Sequence, residues 1–130
     1  MANTAANPSA VHSPAGAYSH SMAVPGGSQV IFLAGQIGLN PDGNAAVGFL
    51  EQAHRAYSNV AAILAHHGLG MDDVVKMTAY LTDPADLPTY SEVRAEWLGD
   101  ARPASTLLIV AGLALPELKV EIDVVAATTG

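Results

Sequence analysis

The run Val120-Glu121-Ile122-Asp123-Val124 sets two carboxylates two positions apart in an otherwise β-branched segment. Side chains alternate along a strand, so Glu121 and Asp123 share one face, roughly 7 Å apart. Ionising a carboxylate among apolar neighbours is costly, and such surroundings raise its pKa toward proton-shuttling chemistry. General acid or base catalysis by Glu121 is therefore the first functional candidate. The competing reading is a pair of solvated acids on an edge strand. A second polar stretch, Arg102-Pro103-Ala104-Ser105-Thr106, precedes it. The hydroxyls of Ser105 and Thr106 can bind an oxygen but bring no charge.

Other chemistry-bearing residues are less organised. His20 shares a strand face with Tyr18, so it can enter the same cleft or stay a polar surface residue. His66 and His67 are adjacent on a helix and point to different faces, so they cannot chelate one metal. They suit the helix C-terminus instead. Pro25-Gly26-Gly27-Ser28 lacks the lysine of a phosphate loop, and no serine has a Gly-x-Ser-x-Gly setting. The absence of cysteine removes disulfides, thiolate nucleophiles and thiolate metal sites.

Composition narrows the function classes. The chain has 130 residues, enough for one domain with a real core. Half its residues are hydrophobic and its formal charge is −7. The five basic residues, Arg55, Lys76, Arg94, Arg102 and Lys119, are scattered. Nucleic-acid binding needs clustered positive charge, so it is not expected. No apolar run reaches membrane-spanning length. The first residues lack the basic start and apolar core of a signal peptide. Residues 1–14 are expected to be a flexible tail on a cytoplasmic protein, with one domain over 15–130.

The elements that must position the candidates follow from periodicity. Gly16 to Val24 and Gln29 to Ala34 are β-prone around Pro25-Gly26-Gly27, which predicts a hairpin. Phe49, Leu50, Ala53, Tyr57, Val60, Ile63 and Leu64 recur at helical spacing, closed by Gly68. Asp73 to Thr82 reads as a strand. Leu87 to Leu98 reads as a second helix, with Asp86 as N-cap and Gly99 as its stop. Ser105 to Val110 and Leu118 to Ala126 complete a β-β-α-β-α-β-β order, an α+β layout. Val30 to Ala34 and Leu107 to Val110 are apolar on both faces. Two helices cover one face of a sheet, so another subunit is expected on the other.

Five segments in order carry a resemblance: Ala15-Gly16-Ala17-Tyr18-Ser19, Leu33-Ala34-Gly35-Gln36-Ile37, Asp73-Val74-Val75-Lys76-Met77-Thr78, Arg102-Pro103-Ala104 and Val120-Glu121-Ile122-Asp123-Val124. The chain resembles the Rid/YjgF family of reactive-intermediate deaminases. The resemblance implies a chorismate-mutase-like fold with one mixed sheet packed by two helices. It implies a homotrimer with a barrel-like core and clefts between subunits. It also implies hydrolysis of enamines and imines to ketones and ammonia, without metal or cofactor.

Residue by residue, Tyr18 corresponds to the family's pocket tyrosine and Glu121 to its water-activating glutamate. Gly35 and Gln36 match a binding loop in which Ala34 replaces serine. Ser105 replaces an arginine that grips the substrate carboxylate, and Leu107 replaces a common cysteine. Tyr90 and Trp97 fall near cleft aromatics on the second helix. Three readings of Ser105 follow: a substrate without the usual carboxylate, another Glu121-assisted hydrolysis or tautomerisation, or ligand binding without catalysis.

Overall fold

The computed structural model describes residues 2–129. The first helix, α1 (Phe49–His66), forms where Phe49, Ala53, Ala56, Tyr57, Val60 and Leu64 make one buried face. It ends in a reciprocal cap. Gly68 takes φ 75°, its N–H reaches Ala65 O at 3.0 Å, and Leu69 N–H reaches Leu64 O at 2.9 Å. Only glycine adopts that left-handed conformation without steric cost.

The second helix, α2 (Leu87–Leu98), buries Tyr90, Val93 and Leu98 and stops at Gly99. Asp86 does not cap it as expected. Residues Pro84–Asp86 form a preceding 3-10 turn, and Asp83 caps that turn by accepting from Ala85 N–H at 2.9 Å. The capping signal therefore lies three residues upstream, where proline fixes φ and supplies no N–H.

Among the described residues, seven strands complete the order: β1 (Thr4–Ala6), β2 (Ser21–Ala23), β3 (Gln29–Phe32), β4 (Gln36–Ile37), β5 (Val74–Leu81), β6 (Ala104–Ile109) and β7 (Val120–Thr128). The main sheet runs β3-β7-β5-β6, with β4 also bonded to β7. β5 and β6 are parallel, joined through α2, while the other pairs are antiparallel. The expected α+β architecture, two helices on one mixed sheet, is observed.

The first hairpin differs from expectation. A turn does form at Pro25, with Ser28 N–H donating to Pro25 O at 3.3 Å. Yet β2 pairs with β1 in a separate two-stranded ribbon, and β3 pairs with β7. The stretch read as a tail thus contributes a strand. A local turn signal fixes chain reversal but not which strand satisfies each backbone edge.

The core lies between α1, α2 and one sheet face. Met77, Ala79 and Leu81 of β5 and Val120, Ile122, Val124 and Ala126 of β7 are buried there. The opposite face carries Lys76, Thr78, Tyr80, Glu121 and Asp123 together with Phe32 and Leu108, by register. Phe32 is 77% exposed and Leu108 44%. No helix among the described residues is long and apolar enough to cross a membrane.

One buried side chain stitches the layers. Gln52 of α1 donates to Ala46 O at 3.2 Å and Glu117 O at 2.9 Å, and accepts from Lys119 N–H at 2.8 Å. It thereby fixes the chain entering β7. Asn59, two turns further along the same face, donates to Ile37 O at 3.2 Å and Leu39 O at 3.0 Å, holding β4. Gln52→Ala strands these backbone groups away from water and should destabilise the fold by about 2–4 kcal/mol. Urea unfolding at fixed protein concentration checks this; a loss below about 1 kcal/mol would mean water takes over the amide's contacts.

Candidate functional site

A cavity of about 340 Å³ opens at the β6 side of the sheet. Its floor is Met77 and Ala79, its strand wall Ser105, Thr106 and Leu107. Gly16, Ala17 and Tyr18 form a second wall, and Tyr90, Ser91 and Arg94 of α2 a third. The Tyr18 wall is pinned by backbone pairing. Buried Ser19 donates its N–H to Pro103 O at 3.2 Å and bridges to Ala104 in parallel register. The Tyr18 hydroxyl accepts from Ala15 N–H at 3.2 Å, which leaves its proton available to donate.

Arg94 spans the cavity wall. Its Nη1 donates to Ala17 O at 2.6 Å and its Nη2 to Ser105 Oγ at 3.0 Å. Ser105 Oγ in turn donates to Pro103 O at 3.1 Å. The Ser105 hydroxyl is thus engaged in both directions by the protein. Behind Arg94, the Tyr57 and Tyr90 hydroxyls share a 2.8 Å hydrogen bond. Burial pushes both tyrosines above their ordinary pKa; the Tyr57 hydrogen bond and the Arg94 guanidinium pull Tyr90 part of the way back.

A second group sits on the other sheet face. Ile37 and Tyr80 flank Glu121 in register. The Glu121 carboxylate lies over bare Gly35, where any side chain would collide with Oε2. Tyr80 donates to Asp123 Oδ2 at 3.0 Å, and that hydrogen bond holds the Tyr80 phenol above its usual pKa. Among the described residues, no side-chain hydrogen bond engages Glu121. Lys76 Nζ donates to Thr106 Oγ1 at 2.9 Å beside this group. Both acids are half-buried in the single chain, not enclosed.

The structure therefore gathers the expected residues into two sets. Tyr18, Tyr90, Ser105, Thr106 and Leu107 line the cavity. Ala34, Gly35 and Gln36 stand with Glu121 instead, the Gln36 amide turned back to Ala34 O at 3.1 Å. Trp97 lies on the α1 side of α2. It stacks on Tyr57 and donates to His54 Nδ1 at 3.1 Å, while His54 Nε2 is 3.9 Å from Glu96. His20 packs edge-on against Tyr18 and His12 and bonds His12 O through Nε2. Arg102 donates to Gly99 O and Ala101 O, a local tie.

Arg94 is the cavity residue that sequence reasoning left unplaced. Its signal was spacing: Tyr90 and Arg94 are i,i+4 neighbours on one helix face. No group of three metal-ligating side chains occurs among the described residues.

A protein-family model described as Endoribonuclease L-PSP matches residues 9–128. The mouse protein named 2-iminobutanoate/2-iminopropanoate deaminase is 34% identical over 114 residues, covering 85% of this chain and 81% of that one. The crystal structure of YyfB from Yersinia pestis, of the conserved Rid protein family, superposes with a TM-score of 0.86 at 27% identity, over 98% of this chain and 100% of that one. E. coli TdcF with bound serine matches with a TM-score of 0.72 at 32% identity, over 87% and 89%.

Two outcomes follow from this geometry. Gly35→Ala should leave far-UV circular dichroism unchanged while its crystal structure shows the flexible Glu121 carboxylate displaced; an unmoved carboxylate refutes the close seat. The Tyr57 and Tyr90 hydroxyls titrate above the ordinary value of 10.0, so the unfolded chain releases these protons first as pH rises. Their contribution to stability is intact below about pH 10 and is lost as pH climbs further. Unfolding at about pH 9 and about pH 11 should show a smaller loss in Tyr57→Phe than in wild type.

Proposed function

The chain belongs to the endoribonuclease L-PSP family, the Rid/YjgF group, and on that footing we propose that it is a cytoplasmic homotrimeric hydrolase converting a small imine or enamine into a carbonyl compound and ammonia. One observation carries this reading: of the two β7 carboxylates, Asp123 is occupied by Tyr80, whereas Glu121 is kept free against Gly35.

A protonated imine carbon is electrophilic and needs only water and proton management. Glu121 accepts a proton as the water oxygen bonds to carbon and the C=N π electrons move to nitrogen. It then returns that proton to the amine nitrogen. The C–N bond breaks as the oxygen lone pair forms C=O, and the hydroxyl proton leaves with ammonia as ammonium. An enamine first takes a proton on carbon and then follows the same course. Tyr18 donates a hydrogen bond to the substrate in this scheme.

Glu121 does not line the Tyr18 cavity of its own chain. The cavity floor belongs to the helix-covered sheet face and Glu121 to the other. A neighbouring copy seated on the uncovered face would supply the missing half of a cleft. The exposure of Phe32, Val30 and Leu108 on and beside that face supports such a partner, since exposed apolar area of this kind is a binding surface. The net charge of −7 gives no support to a polyanionic RNA substrate, despite the family's descriptive name. A ligand-binding trimer without turnover is the second reading, and the placing of Glu121 outside the Tyr18 cavity of its own chain favours it.

Imine decay decides between them. With 2-iminopropanoate, 2-iminobutanoate and a carboxylate-free imine generated in situ, the protein should accelerate decay of at least one over buffer. Glu121→Gln should lower kcat by about 100-fold or more with little change in KM. No acceleration on any of these would remove the hydrolase reading.

A further inference from the structure

Resting on the reading that the Tyr18 cavity takes a small substrate, we propose that Arg94, delivered from α2, captures a carboxylate of that substrate, and that Ser105 is the seat of Arg94 and not itself a ligand-binding group.

The charge inventory singles Arg94 out. Arg102 is tied to backbone carbonyls of its own turn, and Lys76 bonds Thr106 beside the Glu121 group. Arg55 lines a separate recess beside His54 and Trp97. Among the described residues that line the cavity, Arg94 carries the one positive charge and no acid is present. Its partners are the Ala17 carbonyl, the Ser105 hydroxyl and the Tyr90 phenol, all neutral. No carboxylate among the described residues lies within ion-pair distance of it.

A guanidinium has five N–H donors. Two of the Arg94 nitrogens hold protein acceptors, and donors remain for a ligand. The two anchors hold the planar group in one place, so little freedom is lost when an anion binds. A cation of unit charge, held in a small half-apolar cavity without a counter-ion, suits a monoanion with two coplanar oxygens. A small carboxylic acid has that shape and charge.

The engagement of Ser105 completes the argument. Its Oγ accepts from Arg94 and donates to Pro103 O. A hydroxyl used in both directions offers a ligand little, but it fixes where the guanidinium points. The serine at this position and the arginine on the helix thus act as one unit, with charge from α2 and orientation from β6.

Binding measured without turnover tests this separately from the hydrolase reading. Isothermal titration of the intact protein uses 2-oxobutanoate and, as its carboxylate-free counterpart, 2-butanone. Wild type should bind the acid saturably and the ketone not at all. Arg94→Ala should weaken binding of the acid about 100-fold. Arg94→Gln keeps a polar side chain without the charge; it should weaken binding to a similar extent with the midpoint of thermal unfolding unchanged, which a purely structural tie would not do. Arg94→Ala/Ser105→Arg returns a guanidinium to the cavity and should recover most of the loss. Equal binding of acid and ketone, unchanged binding in Arg94→Gln, or no saturable binding by wild type overturns the proposal. Arg94-dependent binding without imine hydrolysis would sink the hydrolase reading and leave this one standing. Imine hydrolysis with the same KM for 2-iminobutanoate in wild type and Arg94→Gln would do the reverse.

Discussion

The main sheet is keyed to β7. It bonds β3 and β4 along one edge and β5 along the other, so three strands take their register from it. Strand alternation then has a single consequence. Val120, Ile122, Val124 and Ala126 must face the helices, and Glu121 and Asp123 must face away. A slip of one residue would bury both carboxylates and expose the core. The position of the candidate catalytic group is therefore inseparable from the burial that stabilises the sheet. Gln52 and Asn59 reinforce that register by clamping the chain before β7 and around β4.

The parts of the molecule legible in the sequence are those governed by local periodicity. The helix stripe from Phe49 to Leu64 and the alternation of Val120 to Val124 appear as read, because each is fixed by neighbours within a few residues. The failures share a cause as well. Pro25-Gly26-Gly27 signals a reversal, but the pairing of β2 with β1 and of β3 with β7 depends on distant strands. Trp97 has the right type for a cleft and lies near it in sequence. It stands seven residues past Tyr90, on the same helix face but about 10 Å further along the axis, where Tyr57 and His54 of α1 receive it. Arg94 was visible only as one scattered cation. Its role comes from a side chain reaching across to β6 and to the Ala17 carbonyl, a contact that no local pattern encodes.

The Arg94–Ser105 contact also bears on how a motif should be compared with a structure. Position 105 looks like the loss of a charge when the strand is read alone. In three dimensions a guanidinium stands beside it, brought by a helix eleven positions earlier in the chain. Electrostatic fields are set by where charge resides, not by which backbone carries it. Residue-by-residue matching counts a vacancy where the cavity has a cation.

The strand that walls the cavity is also the rim of the sheet. β6 ends the strand order, and beyond the Ser19–Ala104 bridge its outer side pairs with no strand among the described residues. Leu107, Leu108 and Ile109 stand exposed along it. Unpaired apolar rims of this kind template disordered association between newly made chains. β6 and β7 are made after β3 and β5, so the sheet closes only once the later strands have emerged. During that interval folding competes with aggregation, and chain concentration and temperature set the balance.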